Sequence, residues 1–312
     1  MQAVRGWSFN AVLRSGGKRF MSFRPRRSVL FLPGSNTRAI NKARTLPADV
    51  VIMDLEDAVA PDVKVDARMN VVKEIDSGGF GHREVAIRCN GLDTVWGKDD
   101  IRAIAKSKAN AVVIPKVEDR NVVIEAQKII SQEMRKDLPI WCMIESPMGV
   151  LRSSDICSLA RESKENPLQA VVMGTSDLTK DLHALHVPSR FPLQTSLQMV
   201  LLSARAHGLV ALDGVHLDIE NKEEFLQHCT AAKQMGFDGK TLIHPTQIGP
   251  ANEVFSPSAD DVKLAQEIIA AYNEALEKKS NVAVVRGKLI ENLHVEDSKR
   301  ILQIFEMISS MK

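Results

Sequence analysis

Eight short apolar runs rich in β-branched residues recur between Arg27 and His244, at intervals of roughly 30 residues, and that period constrains the fold more than anything else in the chain. The runs are 28–33 (SVLFLP), 49–55 (DVVIMDL), 84–89 (EVAIRC), 111–117 (AVVIPKV), 139–145 (PIWCMIE), 170–174 (AVVMG), 209–215 (LVALDGV) and 239–244 (GKTLIH). Each is too short for a helix and apolar on both faces, as strands buried in a parallel sheet should be. Helix-like stretches such as 119–136 and 192–207 lie between them. This alternation predicts an α/β fold, a (β/α)8 TIM barrel, which commonly occupies ~250 residues. A doubly wound open sheet usually has fewer strands, and no Gly-rich fingerprint follows the first run here.

The 312 residues exceed a bare barrel. The stretch 250–259 (PANEVFSPSA) reads as a boundary, followed by a helix over 260–278 that Ser258 and Asp261 open as a capping box. Residues 279–290 read as polar and irregular, and 295–311 as a last helix. The expected organisation is a leader over 1–24, a barrel over 25–255 and a C-terminal helical lid over 256–312.

Composition excludes several function classes. No window approaches 18 consecutive apolar residues, so no membrane-spanning helix is expected. Aromatic residues make up 4% of the chain, too few for a base-stacking nucleic-acid platform. Cys89, Cys142, Cys157 and Cys229 form no CxxC pair, which argues against a cysteine zinc site or a disulfide scaffold and suits a reducing compartment. Residues 1–27 hold Arg5, Arg14, Lys18, Arg19, Arg24, Arg26 and Arg27 with no acid before Asp49. That has the composition of a mitochondrial transit peptide, with a basic tail as the bland alternative. Beyond it acids outnumber bases, which disfavours nucleic acid as a partner.

Polar residues end the runs. Strand two leads into Asp54, Glu56 and Asp57, strand three into Arg88 and Asn90, and strand four into Lys116 and Glu118. Strand five ends at Glu145, strand six at Asp177, strand seven near Asp213 and Asp218, and strand eight at His244. All strand C-termini of a barrel open onto one face, so these charges should converge on one pocket. Burying so many ionisable groups is too costly unless they pair or hold an ion. Carboxylates dominate and no histidine pair shows metal spacing, so a hard ion held by Glu145 and Asp177 is expected, Mg2+ by default with Mn2+ as a substitute. A carboxylate set neutralised by Arg88 and Lys116 is the structural alternative. After strand one, Pro33-Gly34-Ser35-Asn36 opens a helix carrying Arg38 and Lys42 at i, i+4, where an anion such as a phosphate would relieve their repulsion.

Seven segments in order carry a wider likeness: VLFLPG (29–34), DLEDAV (54–59), IRCNG (87–91), PKVE (115–118), IESPMG (144–149), GTSDL (174–178) and GKTLIHPTQI (239–248). Together they resemble the HpcH/HpaI aldolase and citrate lyase β-subunit superfamily from about residue 26 onward. The leader and the single-chain form resemble its citrate lyase β-like branch, mitochondrial citramalyl-CoA lyases with side activity as malate synthases. The resemblance implies Mg2+ on Glu145 and Asp177, with Glu56 and Asp57 behind the metal pocket. It implies that Arg88 binds substrate and supports a thioester enolate. Phe31, Arg38 and Lys42 match positions that contact coenzyme A, and Ile243 and His244 a further substrate-contacting pair. It also implies a homotrimer in the mitochondrial matrix, whose C-terminal lid closes over a neighbouring subunit and delivers a catalytic acid. The acid here is Glu291, where the family usually has aspartate. Its extra methylene leaves turnover and substrate choice open more than reaction class. The rival readings are a citrate lyase β subunit needing partner subunits, a 2-oxo-acid aldolase that uses no CoA, and a catalytically silent CoA-ester-binding protein.

Overall fold

The chain is described by a computed structural model covering residues 24–162 and 166–311; apart from Arg24, the expected leader lies outside them. Eight parallel strands close into a barrel in sequence order: β1 (Ser28–Pro33), β2 (Val50–Asp54), β3 (Glu84–Arg88), β4 (Ala111–Ile114), β5 (Ile140–Ile144), β6 (Leu168–Met173), β7 (Val210–Asp213) and β8 (Gly239–Leu242). β8 pairs back onto β1, aligning Val29 with Thr241. Each apolar run of the sequence became one strand, usually trimmed where a polar residue or glycine begins the loop.

Because successive side chains on a strand point to opposite faces, each strand feeds two cores. Val29, Val50, Ile52, Ala86, Ala111, Val113, Trp141, Met143, Ala170, Val172 and Leu212 pack together inside the barrel. The alternate positions, among them Leu30, Val51, Met53, Ile87, Ala211 and Leu242, pack outward against the helices. Following the inner phase toward the strand C-termini gives Val50, Ile52, then Asp54; Ala86, then Arg88; Trp141, Met143, then Glu145. The same phase toward the floor gives Glu84, whose carboxylate is forked by Arg26 at 2.7 and 2.8 Å while that guanidinium stacks on Trp141.

After the barrel, the helix Ala259–Glu277 begins at the Ser258/Asp261 capping box that the sequence predicts. The polar stretch expected to be irregular instead contains a hairpin, β9 (Ala283–Val285) and β10 (Lys288–Ile290). Its two-residue turn places Arg286 at φ 47° and Gly287 at φ 76°. Positive φ at both positions fits the twist of a tight hairpin, and glycine adopts it without strain. Arg286 then reaches back to Glu267 at 2.8 Å and Asp260 at 3.1 Å on the preceding helix. The strands are only three residues long and only Val285 and Ile290 are buried, so the apolar periodicity was too brief to read. The last helix, Asn292–Ser310, starts earlier than expected and packs on Ala259–Glu277, with Tyr272, Val285, Ile290 and Val295 as a small core. A cavity of about 730 Å3 separates this helix from the strand N-termini, lined by Arg27, Leu209, Phe237, Arg300 and Ile304 among others. The extension therefore sits below the barrel floor of its own chain. Among the described residues no helix is long and apolar enough to cross a membrane.

Candidate active site

The inner-phase residues at the strand C-termini build one ionic cluster. Arg88 donates to both oxygens of Asp54 at 2.6 Å, a bidentate fork that fixes the guanidinium plane. Asp54 also accepts from the backbone N–H groups of Glu56 and Ala58. Burial pushes the Asp54 carboxyl up, but Arg88 and these N–H groups outweigh it and hold the group below its ordinary range. Arg88 itself is 8% exposed, with Phe31 beneath its guanidinium at 5.0 Å. Burial would pull its proton off, yet the Asp54, Glu56 and Glu145 charges hold the cation more firmly than usual.

Glu56 approaches Arg88 at 2.9 Å and Lys116 at 2.7 Å. Its buried Oε2 makes the Arg88 ion pair without an aligned hydrogen bond. Burial raises the Glu56 carboxyl. Asp57 is exposed, 3.8 Å from Arg88 and 3.6 Å from Lys116. Lys116 adopts a left-handed backbone, φ 48°, and from it the backbone N–H donates to Glu145 Oε1 at 2.7 Å. Such a conformation is costly for a residue with a Cβ and persists where its surroundings enforce it.

Glu145 is 2% exposed, and burial lifts its carboxyl to about 7, with the Glu56 and Asp177 charges adding to the rise. Its Oε2 lies 2.3 Å from where a Cβ on Gly174 would stand, so the absence of a side chain at 174 makes the room for this oxygen. Asp177 is half-buried on the helix Thr175–Asp181 that begins after β6. Among the described residues the cluster thus gathers the carboxylates of Asp54, Glu56, Asp57, Glu145 and Asp177 around two cations, Arg88 and Lys116. A carboxyl raised to about 7, with one oxygen that accepts no hydrogen bond among the described residues beside a second acid, fits a hard divalent cation. The oxygen-only donors suit magnesium, and Glu145 and Asp177 are the residues that would hold it.

Other expected positions are placed as follows. Arg38 and Lys42 lie exposed on the short helix Thr37–Ala43, whose N-cap Asn36 accepts from the Ala39 N–H, and neither has an ion-pair partner among the described residues. Ile243 is 38% exposed and His244 half-buried; Gln247 Oε1 accepts from both backbone N–H groups. Among the described residues Glu291 makes no ion pair or hydrogen bond with the cluster of its own chain. It caps the last helix, and its N–H donates to His294 Nδ1 at 3.0 Å.

Two expectations fail. Asp213 does not join the pocket: 210 and 212 belong to the inner phase, so Asp213 faces the helices. There it accepts from Lys240 at 2.7 Å and is forked by Arg190 at 2.8 and 2.5 Å, all three nearly or wholly buried. Glu118 and Asp218 are exposed. Second, a histidine pair does come together, His216 and His228, with Nδ1 atoms 3.2 Å apart. They are twelve residues apart on a loop and a helix, so local spacing carried no sign of it. Sequence reasoning also missed Arg190, Lys240 and Gly174. A lysine inside the apolar run GKTLIH was the available signal for Lys240.

A family model described as HpcH/HpaI aldolase/citrate lyase matches residues 27–245. A (3S)-malyl-CoA thioesterase of Cereibacter sphaeroides is 44% identical over 286 residues, covering 92% of this chain and 96% of that protein. The citrate lyase subunit beta of Leuconostoc mesenteroides is 31% identical, covering 90% of this chain and 93% of the relative. Among solved structures, the CitE protein of Mycobacterium tuberculosis in complex with magnesium, acetoacetate and coenzyme A aligns with TM-score 0.72 at 25% identity, covering 90% of this chain and 98% of that one.

Proposed function

This chain belongs to the HpcH/HpaI aldolase/citrate lyase family, and from that premise we propose that it is a Mg2+-dependent carbon–carbon lyase cleaving a 3-hydroxyacyl-CoA, citramalyl-CoA to acetyl-CoA and pyruvate. The carrying observation is Glu145: an inward carboxyl lifted to about 7, one oxygen accepting no hydrogen bond among the described residues, beside Asp177 and within the field of Arg88. The magnesium and coenzyme A bound by the related CitE protein support the same cofactor and ester class here.

Glu145 and Asp177 would hold the metal, which supplies Lewis-acid polarisation of the substrate's hydroxyl and neighbouring carboxylate. As the carbon–carbon bond breaks, the hydroxyl releases its proton to solvent and becomes the pyruvate ketone, and negative charge passes to the thioester oxygen until one proton is returned at the acetyl carbon. Arg88 is preorganised to meet that charge: Asp54 holds one edge of its guanidinium and the Phe31 ring supports its plane. A donor fixed before reaction in a water-poor site costs no reorganisation in the transition state. Lys116 and Glu56 set the charge behind Arg88 and position Glu145 through the Lys116 N–H. Arg38 and Lys42, without an ion-pair partner among the described residues, suit the phosphates of coenzyme A. Ile243 and His244, at the end of β8, would contact the substrate.

The acetyl carbon must gain a proton, which we assign to Glu291 of a neighbouring subunit in a homotrimer; within its own chain Glu291 caps the last helix. Run backwards, the same residues condense acetyl-CoA with a 2-oxo acid. The basic leader is proposed to direct the chain to the mitochondrial matrix. A second reading, thioester hydrolysis of a malyl-CoA-type ester, is favoured by the name of the 44% identical relative. Pyruvate and acetyl-CoA released together identify the lyase; free CoA with an intact hydroxy-diacid identifies the hydrolase. A Glu145→Gln variant that kept full Mg2+-dependent turnover would remove the metal assignment.

A further inference from the structure

Outside the barrel, on the opposite side of the sheet wall from Arg88, two histidines and a glutamate converge. His228 and Glu224 lie at i, i+4 on one face of the helix Lys222–Met235, and His216 reaches them from the loop after β7. One donor atom from each falls within 4.8 Å of the other two. His216 and His228 are 5% and 8% exposed, and their rings meet edge to face at 88°. The Nδ1 atoms stand 3.2 Å apart. Two imidazole nitrogens, each ~2.0–2.1 Å from a tetrahedral zinc, would stand ~3.3 Å apart.

We propose that His216, Glu224 and His228 form a second metal site, for a borderline divalent transition metal of the zinc class and chemically distinct from the oxygen site at Glu145 and Asp177.

Three features of the cluster support this. Pro188 O lies 2.9 Å from His228 Nε2, and a carbonyl can only accept, so Nε2 carries the proton and Nδ1 keeps its lone pair for the ion. A ligating histidine is commonly fixed by a hydrogen bond of this kind from its other nitrogen. His216 Nε2 is buried with no hydrogen-bond partner among the described residues, and the ring's Nδ1 meets His228 Nδ1. Burial pushes both imidazoles below their ordinary range, His228 to about 4 with Lys240 contributing, so both are neutral and ligation-competent at neutral pH. Imidazole donors favour zinc over magnesium, and three protein ligands leave a fourth position for water.

The ion would tie the loop after β7 to its following helix. The His216 carbonyl accepts from Gln247 Nε2, and Gln247 Oε1 caps the N–H groups of Ile243 and His244, so this staple adjoins the end of β8.

The test titrates Co2+ into tag-free, metal-stripped full-length protein held in saturating Mg2+, which occupies the oxygen site. The expected result is one equivalent of Co2+ bound with the intense visible absorption of a four-coordinate nitrogen–oxygen site, displaced by Zn2+, with a rise in Tm on Zn2+ binding. The band should persist in Glu145→Gln and vanish in His216→Gln and His228→Gln. Glu224→Gln, at a half-buried position that folding tolerates better, should weaken Co2+ binding while leaving the far-ultraviolet circular dichroism unchanged. No tight Co2+ equivalent beyond the Mg2+ site, or binding that survives in His216→Gln and His228→Gln, would overturn the proposal.

Discussion

Two ionic clusters sit within a few residues of one another in register, on opposite faces of the same barrel wall. The inner one joins Arg88, Lys116 and five carboxylates, with Lys116 and Asp57 about half exposed. The outer one joins Arg190, Asp213 and Lys240, with side-chain exposures of 9%, 0% and 0%. In the outer cluster the charges answer one another: Lys240 meets Asp213 and the Gly214 carbonyl, and Asp213 takes both Lys240 and Arg190, which drive its carboxyl far down against the pull of burial. The inner cluster is unbalanced, and burial, with the Glu56 and Asp177 charges adding to it, leaves Glu145 raised to about 7. A closed, matched cluster holds a fold together. An open one with unspent negative charge is placed to take a cation and a substrate.

The comparison is broken most forcefully at Lys240. Lys240→Met strands Asp213 beside Arg190 alone and should lower the unfolding free energy by ~3–5 kcal/mol, read by urea denaturation. Lys116→Met, at a half-exposed site, should cost ~1 kcal/mol or less. Equal costs for the two would erase the distinction between the clusters. Arg88→Lys keeps the charge but loses the fork to Asp54, so kcat should fall by ~100-fold or more while the chain stays folded.

Smaller effects sharpen the metal assignment. Gly174→Ala puts a Cβ where Glu145 Oε2 lies, so Mg2+ affinity measured by calorimetry should drop by at least ~10-fold. Because Glu145 must be ionised to bind the ion and titrates at about 7, protons compete below that pH. Apparent Mg2+ affinity should weaken by ~10-fold per pH unit below about 7 and level off above it. The sign for stability follows from the same shift. The metal-free folded chain holds this proton where the unfolded chain does not, so Glu145 stabilises at low pH and that contribution is lost as pH rises through about 7. Arg38→Ala and Lys42→Ala should each raise KM for the CoA ester by ~10-fold or less, with kcat little changed.

The barrel was legible because its signal is redundant: eight buried runs with one period, each readable alone and all consistent. The inner cluster was legible because Asp54, Arg88 and Glu145 follow apolar inner-phase residues at the ends of those runs. Phase was the limit. Asp213 also ends its run, yet one position of shift in a two-residue repeat turns it to the other face. Lys116 was visible as a charge, but not as a left-handed residue whose N–H holds Glu145. The hairpin at 283–290 and the His216–His228 pair escaped for a shared reason. Each depends on contacts that three-residue strands, or a loop and a helix twelve residues apart, leave no local pattern to announce.

The central claim is that the unbalanced inner cluster performs metal-dependent carbon–carbon cleavage. Its most direct test incubates the full-length chain with citramalyl-CoA and Mg2+ and analyses the products with and without EDTA. Pyruvate and acetyl-CoA in equal amounts, abolished by EDTA, is the predicted result. Free CoA and citramalate without pyruvate, or pyruvate release indifferent to EDTA, would contradict it.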